Sequence, residues 1–256
     1  MKTMKKDLLT VNVYDSRREM GNAAAADVKA CILKLLAEKE TINMIFAAAP
    51  SQNEVLEALA TDREIPWNRV HAFHMDEYIG LSADAPQAFG NFLREHIFGL
   101  APFASVNYID VSATDAEAEC ARYSKLLADN PTDIVVMGIG ENGHIAFNDP
   151  PVADFCDPRA VKPVQLDEIC RQQQVNDGCF ATLDAVPKTA ITLTVPTLFA
   201  GKHLFCIVPA ATKAAAVRAT LCGEIGEACP ATVLRRHADA TLYLDADSSA
   251  LLEGKV

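Results

Sequence analysis

Asp133-Ile134-Val135-Val136-Met137-Gly138-Ile139-Gly140-Glu141-Asn142-Gly143-His144-Ile145-Ala146-Phe147-Asn148-Asp149-Pro150 runs from an apolar segment into three glycines, a histidine and two carboxylates. Residues 133–137 read as a buried strand, and residues 138–150 read as the loop at its carboxyl end. In an open α/β sheet that edge faces a crevice where ligands bind. Glycines there let the backbone approach a ligand closely, and a histidine exchanges protons near neutral pH. The bland alternative is a core histidine satisfied by a carbonyl, with the glycines serving a tight turn. Core packing alone asks for no such combination.

Outward from this stretch, apolar and β-branched runs predict strands at 8–13, 42–47, 69–75, 106–109, 133–139, 190–195, 204–208 and 241–244. Helical spacing falls between many of them, at 22–38, 54–60, 88–98, 116–128 and 212–222. Strand then helix, repeated, predicts an α/β, Rossmann-like fold: a mostly parallel sheet with helices on both faces. No internal repeat or Gly/Ser-rich linker interrupts the pattern, so residues 1–256 are expected to form one domain. The polar, weakly periodic segment 150–178 is the candidate for a flap over the crevice.

The chain has 256 residues, half of them hydrophobic, and a formal charge of −11. That acidity argues against a nucleic-acid partner, which would need clustered Lys and Arg. It leaves room for an anionic small molecule held by a few local cations and backbone dipoles. No segment is long and apolar enough for a membrane span, and no apolar stretch comes after the charged start at 1–6, so no signal peptide is expected. The eight cysteines are scattered without a CxxC pair, which predicts reduced thiols, mostly buried, and neither a disulfide frame nor a zinc site. These features together predict a cytoplasmic enzyme without a metal.

Three further strand ends carry chemistry. After the strand at 42–47 comes Ala48-Ala49-Pro50-Ser51-Gln52-Asn53-Glu54. Ser51 with Glu54 three positions on has the form of a capping box, and a helix start at a strand end is also an anion site. At the end of the strand at 69–75 stands His74-Met75-Asp76-Glu77-Tyr78. One of these acids could cap a helix and the other face water. Equally, a partly buried carboxylate there could take a proton from a carbon beside a carbonyl. After the strand at 204–208, Lys213 lies in a first helical turn, a place unfavourable for a cation unless it meets an anion such as phosphate. A solvated lysine is the alternative. A parallel sheet would gather all four strand ends along one edge. Phosphate donors with an acid and a histidine describe a sugar-phosphate enzyme.

Residues 74–81, HMDEYIGL, and 138–150, GIGENGHIAFNDP, resemble the signatures of glucosamine-6-phosphate deaminases, also called isomerases. The likeness extends over most of the chain, in letter at these two motifs and in layout elsewhere. It implies ring opening of an amino-hexose 6-phosphate assisted by His144, with Asn142 and Asp149 beside it. It further implies that Asp76, as general base, shuttles a proton between C2 and C1, and that water then releases ammonia. The resemblance implies no metal or organic cofactor. Ala49, Ser51, Gln52, Gly140, Arg171 and Lys213 make up the expected substrate- and phosphate-binding set. The partner is then a small sugar phosphate, with homo-oligomerisation left open.

The chain departs from the family pattern at several places. The family usually carries an aspartate at Asn142 and a glutamate at Asp149, and its phosphate loop is richer in Gly and Thr than Ala48-Ala49-Pro50-Ser51. Pro50 also removes one amide donor. An arginine that usually reaches the phosphate is replaced near Cys179, and Arg171 is the nearest candidate to take its place. Two other functions fit the same residues: a 6-phosphogluconolactonase-type hydrolase using His144 to activate water, and a non-catalytic sugar-phosphate sensor.

Overall fold

A computed structural model describes residues 1–112 and 115–252. In chain order the elements begin with β1 (Lys2–Lys6), β2 (Leu9–Val13), α1 (Arg17–Glu38), β3 (Ile42–Phe46), α2 (Asn53–Thr61), β4 (Val70–His74) and β5 (Asp76–Tyr78). Next come α3 (Phe89–Leu93), β6 (Ser105–Asn107), α4 (Ala116–Asp129), β7 (Ile134–Met137), β8 (Val161–Gln165) and α5 (Glu168–Asn176). The chain closes with β9 (Thr189–Leu193), α6 (Val195–Phe199), β10 (His203–Val208), α7 (Ala214–Cys222) and β11 (Ala240–Leu244).

Eight strands form the main sheet in the order β1-β2-β11-β10-β7-β3-β4-β6. Every neighbouring pair is parallel except the β1–β2 hairpin at one edge. β7 is buried at all four positions, as a strand covered on both faces must be. Side chains alternate along β3 between two cores. Met44 and Phe46 pack with Met20, Val28 and Val55 of α1 and α2. Ile45 faces the opposite core, with Tyr123 of α4 and Val217 of α7. The α/β, mostly parallel architecture expected from the alternation of strands and helices is therefore the observed one.

After β3 the chain moves outward through β4 and β6, returns as β7 beside β3, and then moves outward the other way through β10 and β11. The strand order thus reverses between β3 and β7. The loops leaving their carboxyl ends diverge and open a crevice there.

Two expectations are corrected. Residues 190–195 join no parallel ladder: β9 is the centre of a separate three-stranded antiparallel sheet, β5-β9-β8. β5 and β8 show no strand signal of their own because one is three residues long and the other contains Pro163. The segment 150–178, read as weakly periodic, contains β8 and the helix α5. The lysine-rich β1 likewise gives no apolar signal. It is a solvated edge strand, and its charges discourage edge-to-edge pairing. All eight cysteines are free; three are buried, three half-buried and two exposed. Among the described residues, no helix is long and apolar enough to cross a membrane.

Candidate active site

A cavity of about 500 Å³, counting its open mouth, lies over the β3/β7 switch point. Asp76, His144, Ser51, Gln52, Gly140 and Lys213 all line it, and so does Ala49. Segments far apart in the chain therefore converge there, as the shared strand-end position predicts.

Asp76 occupies a joint between the two sheets. β4 ends at His74, and Met75 belongs to neither strand. Its N–H donates to Phe46 O of β3 (3.3 Å), while its carbonyl accepts from Leu193 N of β9 (2.8 Å). β5 then starts at Asp76, opposite Thr192. His74 is buried beneath; its Nε2 accepts from Ile109 N (2.9 Å), so Nδ1 carries the hydrogen and donates to Asp76 O (2.9 Å). Burial lowers the His74 pKa to about 4, which keeps this ring a neutral strut.

Asp76 is 6% exposed, and its carboxylate takes no hydrogen bond from the described residues. Burial first, then the charges of Glu77 and Asp149, hold its pKa well above the usual carboxylate range. Glu77 has a different fate. It turns inward and accepts from Tyr78 N, Phe89 N and Gly90 N at 2.9, 2.9 and 2.7 Å. One acid of the pair thus fixes the start of α3 and the Phe89 wall, and the other stays free in the cavity.

The loop after β7 closes on itself through Gly143 N to Gly140 O (3.0 Å) and Gly140 N to His144 O (2.9 Å). Gly143 has φ +84°, a left-handed conformation suited to glycine. Gly140 serves another purpose: a Cβ there would lie 2.1–2.3 Å from the His144 ring, so the imidazole fills the space of the missing side chain. Asn142 accepts His144 N at Oδ1 (3.0 Å) and donates from Nδ2 to Asp149 Oδ1 (2.8 Å). His144 Nδ1 therefore faces two acceptors, Asn142 Oδ1 at 2.7 Å and Asp149 Oδ1 at 2.9 Å. A hydrogen must sit on Nδ1, which leaves Nε2 of the neutral ring as the lone-pair nitrogen. Burial works against the charge of Asp149, but the hydrogen bonds from His144 and Asn142 outweigh it and keep this acid ionised. Asn142 and Asp149 act behind the histidine and do not line the cavity.

At the other end, the capping-box expectation fails. Pro50 starts a short 3-10 turn, α2 begins at Asn53, and Glu54 pairs with Arg17 Nε at 2.7 Å. Ser51 Oγ caps nothing; it accepts from Gln52 Nε2 at 3.1 Å, so its own hydrogen is free for another acceptor. Gln52 Nε2 also reaches Ile207 O of β10 (3.2 Å). Gln52 is fully buried and orients the serine. Lys213 is 4% exposed, with no carboxylate of the described residues within ion-pair distance. Burial lowers its pKa, partly offset by the more distant Asp177 and Glu141. A buried ammonium without a partner is unfavourable unless an anion arrives.

Arg171 does not take the place of the missing arginine. Its Nε and Nη2 donate to Val186 O, and Nη2 also to Leu183 O at 2.6 Å, outside the cavity lining. Its guanidinium ties α5 to the loop beyond it. What α5 offers the cavity is Gln173 and Gln174, two residues that no motif announces. Gln173 Oε1 also accepts Glu141 N at 2.8 Å, pinning the histidine loop to the helix. Among the described residues, the group with metal-ligand chemistry is His144, Asp149 and Cys170, whose donor atoms lie within 4.8 Å of one another. Two of the three are already bonded to each other.

Known proteins share this outline. Residues 15–243 match the family model of glucosamine-6-phosphate isomerases/6-phosphogluconolactonase. The chain belongs to that family. A glucosamine-6-phosphate deaminase of Listeria monocytogenes is 33% identical over 211 residues, covering 82% of this chain and 88% of the relative. The structure of a monomeric glucosamine-6-phosphate deaminase superposes with TM-score 0.85 at 29% identity, over 97% of this chain and all of the other. A 6-phosphogluconolactonase from Thermotoga maritima shares the fold, with TM-score 0.76 at 20% identity over 93% of this chain and 99% of that one. This member of the isomerase/lactonase family thus keeps the common scaffold.

Proposed function

We infer that this chain is an enzyme that isomerises and deaminates an amino-hexose 6-phosphate, in the manner of glucosamine-6-phosphate deaminases. One observation carries the reading: a free carboxylate with a raised pKa, a histidine with a bare Nε2 and an unpaired buried ammonium line one cavity. The relatives named for this activity support it at the level of the whole chain.

The residues suit distinct tasks. Lys213 Nζ and the Ser51 hydroxyl meet the phosphate, whose charge supplies the partner that Lys213 lacks. Nε2 of His144 relays a proton between O1 and the ring oxygen, converting the cyclic sugar to its open chain, and Asp149 steadies the imidazolium formed on the way. Asp76 then removes the C2 proton and returns it to C1. That moves the carbonyl-level carbon from C1 to C2, giving a 2-imine. Water adds to the imine carbon and ammonia leaves, so one water is consumed for each ketose phosphate and ammonia formed. Asp76 needs to be both more basic than an ordinary carboxylate and unshielded by hydrogen bonds, and it is. In this reading the whole chain serves as one catalytic domain, and the segment 150–178 covers the cavity as a flap. The free thiols suit a reducing compartment such as the cytoplasm.

The test is ammonia release over a panel of amino-hexose 6-phosphates, together with deuterium incorporation from solvent during turnover. Release of ammonia with solvent label in the product is expected. Hydrolysis of a 6-phosphogluconolactone without either would replace this reading with the lactonase one. For the phosphate end, Lys213→Ala should raise KM roughly 10- to 100-fold, the worth of about 1.5–3 kcal/mol for a charged hydrogen bond. The same variant should leave kcat for substrate at saturation within a few-fold. Unchanged KM would remove Lys213 from the phosphate site.

A further inference from the structure

We propose that Gln174 determines which sugar this site accepts: its carboxamide takes the hydroxyls at C3 and C4 of the hexose phosphate. The choice of these two hydroxyls rests on the deaminase reading; the place of the amide in the cavity wall does not.

Gln174 is 8% exposed, yet its side-chain amide bonds to nothing among the described residues. Gln173 beside it is the contrast. Its Oε1 accepts Glu141 N at 2.8 Å, and its Nε2 donates to Asp177 Oδ2 at 3.3 Å. Gln174 is held by its backbone instead: its carbonyl accepts Cys179 N at 2.9 Å and Phe180 N at 3.3 Å, where the chain leaves α5. Its side chain lines the catalytic cavity and also an adjoining space of about 520 Å³, counting its mouth. Pro50, Pro86, Phe89 and Phe92 wall that space, and their side chains offer no hydrogen bond. Gln87 is the other amide there, half-buried and not bonded to Gln174. A buried amide with both arms unused is poorly satisfied until a ligand or water meets it.

Its neighbours pick the part of the sugar it meets. Gln174 lines both spaces together with Ala49 of the phosphate loop and with Phe89. The Phe89 N–H is held at 2.9 Å by Glu77, next to Asp76 in the chain. Gln174 therefore shares a wall with the phosphate end and with the Asp76 end. In the deaminase reading Lys213 and Ser51 engage the phosphate on C6, His144 serves O1 and the ring oxygen, and Asp76 serves C1 and C2. The hydroxyls at C3 and C4 are what remain. Neighbouring hydroxyls present a donor and an acceptor side by side, which the N–H and carbonyl of one carboxamide meet together. A site that hydrogen-bonds a substrate hydroxyl rejects the analogue lacking it, because the protein group is then left unpaired.

The experiment is calorimetry on the Asp76→Asn background, where turnover does not consume the ligand, with Gln174 present or replaced in Gln174→Leu. The ligands are glucosamine 6-phosphate, its 3-deoxy and 4-deoxy analogues, and inorganic phosphate. With Gln174 present, at least one deoxy analogue should bind about tenfold more weakly than the parent sugar, the scale of one buried hydrogen bond. Gln174→Leu keeps the volume and removes both arms of the amide. There the parent should weaken to the level of that analogue, closing the gap to about twofold or less, while inorganic phosphate binds as before. A gap that persists in Gln174→Leu overturns the proposal, and so does equal binding of the parent and both analogues when Gln174 is present. Loss of phosphate binding in Gln174→Leu overturns it too, since the substitution would then act on the site as a whole. The deaminase reading falls separately, if the wild type releases no ammonia, and the deoxy gaps would still decide whether Gln174 reads the sugar.

Discussion

Asp76→Asn should abolish turnover and at the same time make the protein more resistant to heat above neutral pH. The loss comes from the mechanism: an amide cannot accept the C2 proton, and a positioned general base is worth about 10²–10⁴-fold. Binding of the phosphorylated sugar should survive, because Lys213 and Ser51 are untouched. The gain in stability comes from linkage. Burial and the neighbouring Glu77 and Asp149 raise the folded-state pKa of Asp76 above that of the unfolded chain. Between those two values the folded protein holds more protons than the unfolded one, so stability falls as pH rises. Above the folded-state value the whole penalty is present. Asparagine removes it, and relief of an unpaired buried charge by about 1–3 kcal/mol corresponds to roughly 2–10 °C in Tm for a protein of this size. At a pH below both values the two proteins should melt alike. Equal melting temperatures at a pH above both would mean that Asp76 is not held under strain, and turnover within tenfold of wild type would remove it as the base. For the wild type, the same shift makes kcat/KM climb with pH as Asp76 loses its proton.

A comparable loss of activity is expected from a single methyl group. In Gly140→Ala the new Cβ would fall 2.1 Å from His144 Cε1 and 2.2 Å from Nε2, far inside contact distance. The backbone around it is held by Gly143 N to Gly140 O and by Gly140 N to His144 O, so the ring has to leave. Displacement breaks the contacts of Nδ1 with Asn142 and Asp149 and takes Nε2 out of reach of the sugar. We expect kcat to fall about 10²–10⁴-fold, with a stability loss of only about 1–3 kcal/mol from overpacking. Kinetics with circular dichroism and a melting curve would check both halves. A folded variant that retains more than a tenth of wild-type kcat would show that the ring does not occupy this space during catalysis.

The amino-acid order discloses the scaffold best where burial is two-sided. Runs such as Ile134–Met137 are apolar at every position because helices cover both faces, and the ends of such runs mark the crevice. The small antiparallel sheet is hidden because its strands are short and lean on one another across large separations: Asp76 pairs with Thr192 and Lys162 with the same residue. α5 is hidden for an instructive reason. Its buried residues are Cys170, Arg171, Gln173 and Gln174, so no apolar stripe marks it. Gln173 and Gln174 on that face look into the cavity, and Arg171 ties the helix to the loop beyond it.

Local signals mislead where a turn intervenes. Ser51 and Glu54 have capping-box spacing, yet the 3-10 turn at Pro50 shifts the helix start and sends Glu54 to Arg17. The serine that does cap a helix is Ser16 ahead of α1, with its oxygen 3.3 Å from Glu19 N. Arg171 is near Cys179 in the chain, but its guanidinium is directed to carbonyl groups of the loop beyond its helix. Asp76, His144 and Lys213 are legible because each stands where a strand ends, and parallel strands bring such ends together.

Met75, held by one sheet through its amide and by the other through its carbonyl, mounts the neighbouring Asp76 on a bridge between two separately built layers. The wide sheet sets how far that group projects, and the narrow one sets how it is turned. Substitutions in β8 or β9 would then re-aim the Asp76 carboxylate while the core of the wide sheet stays as it is.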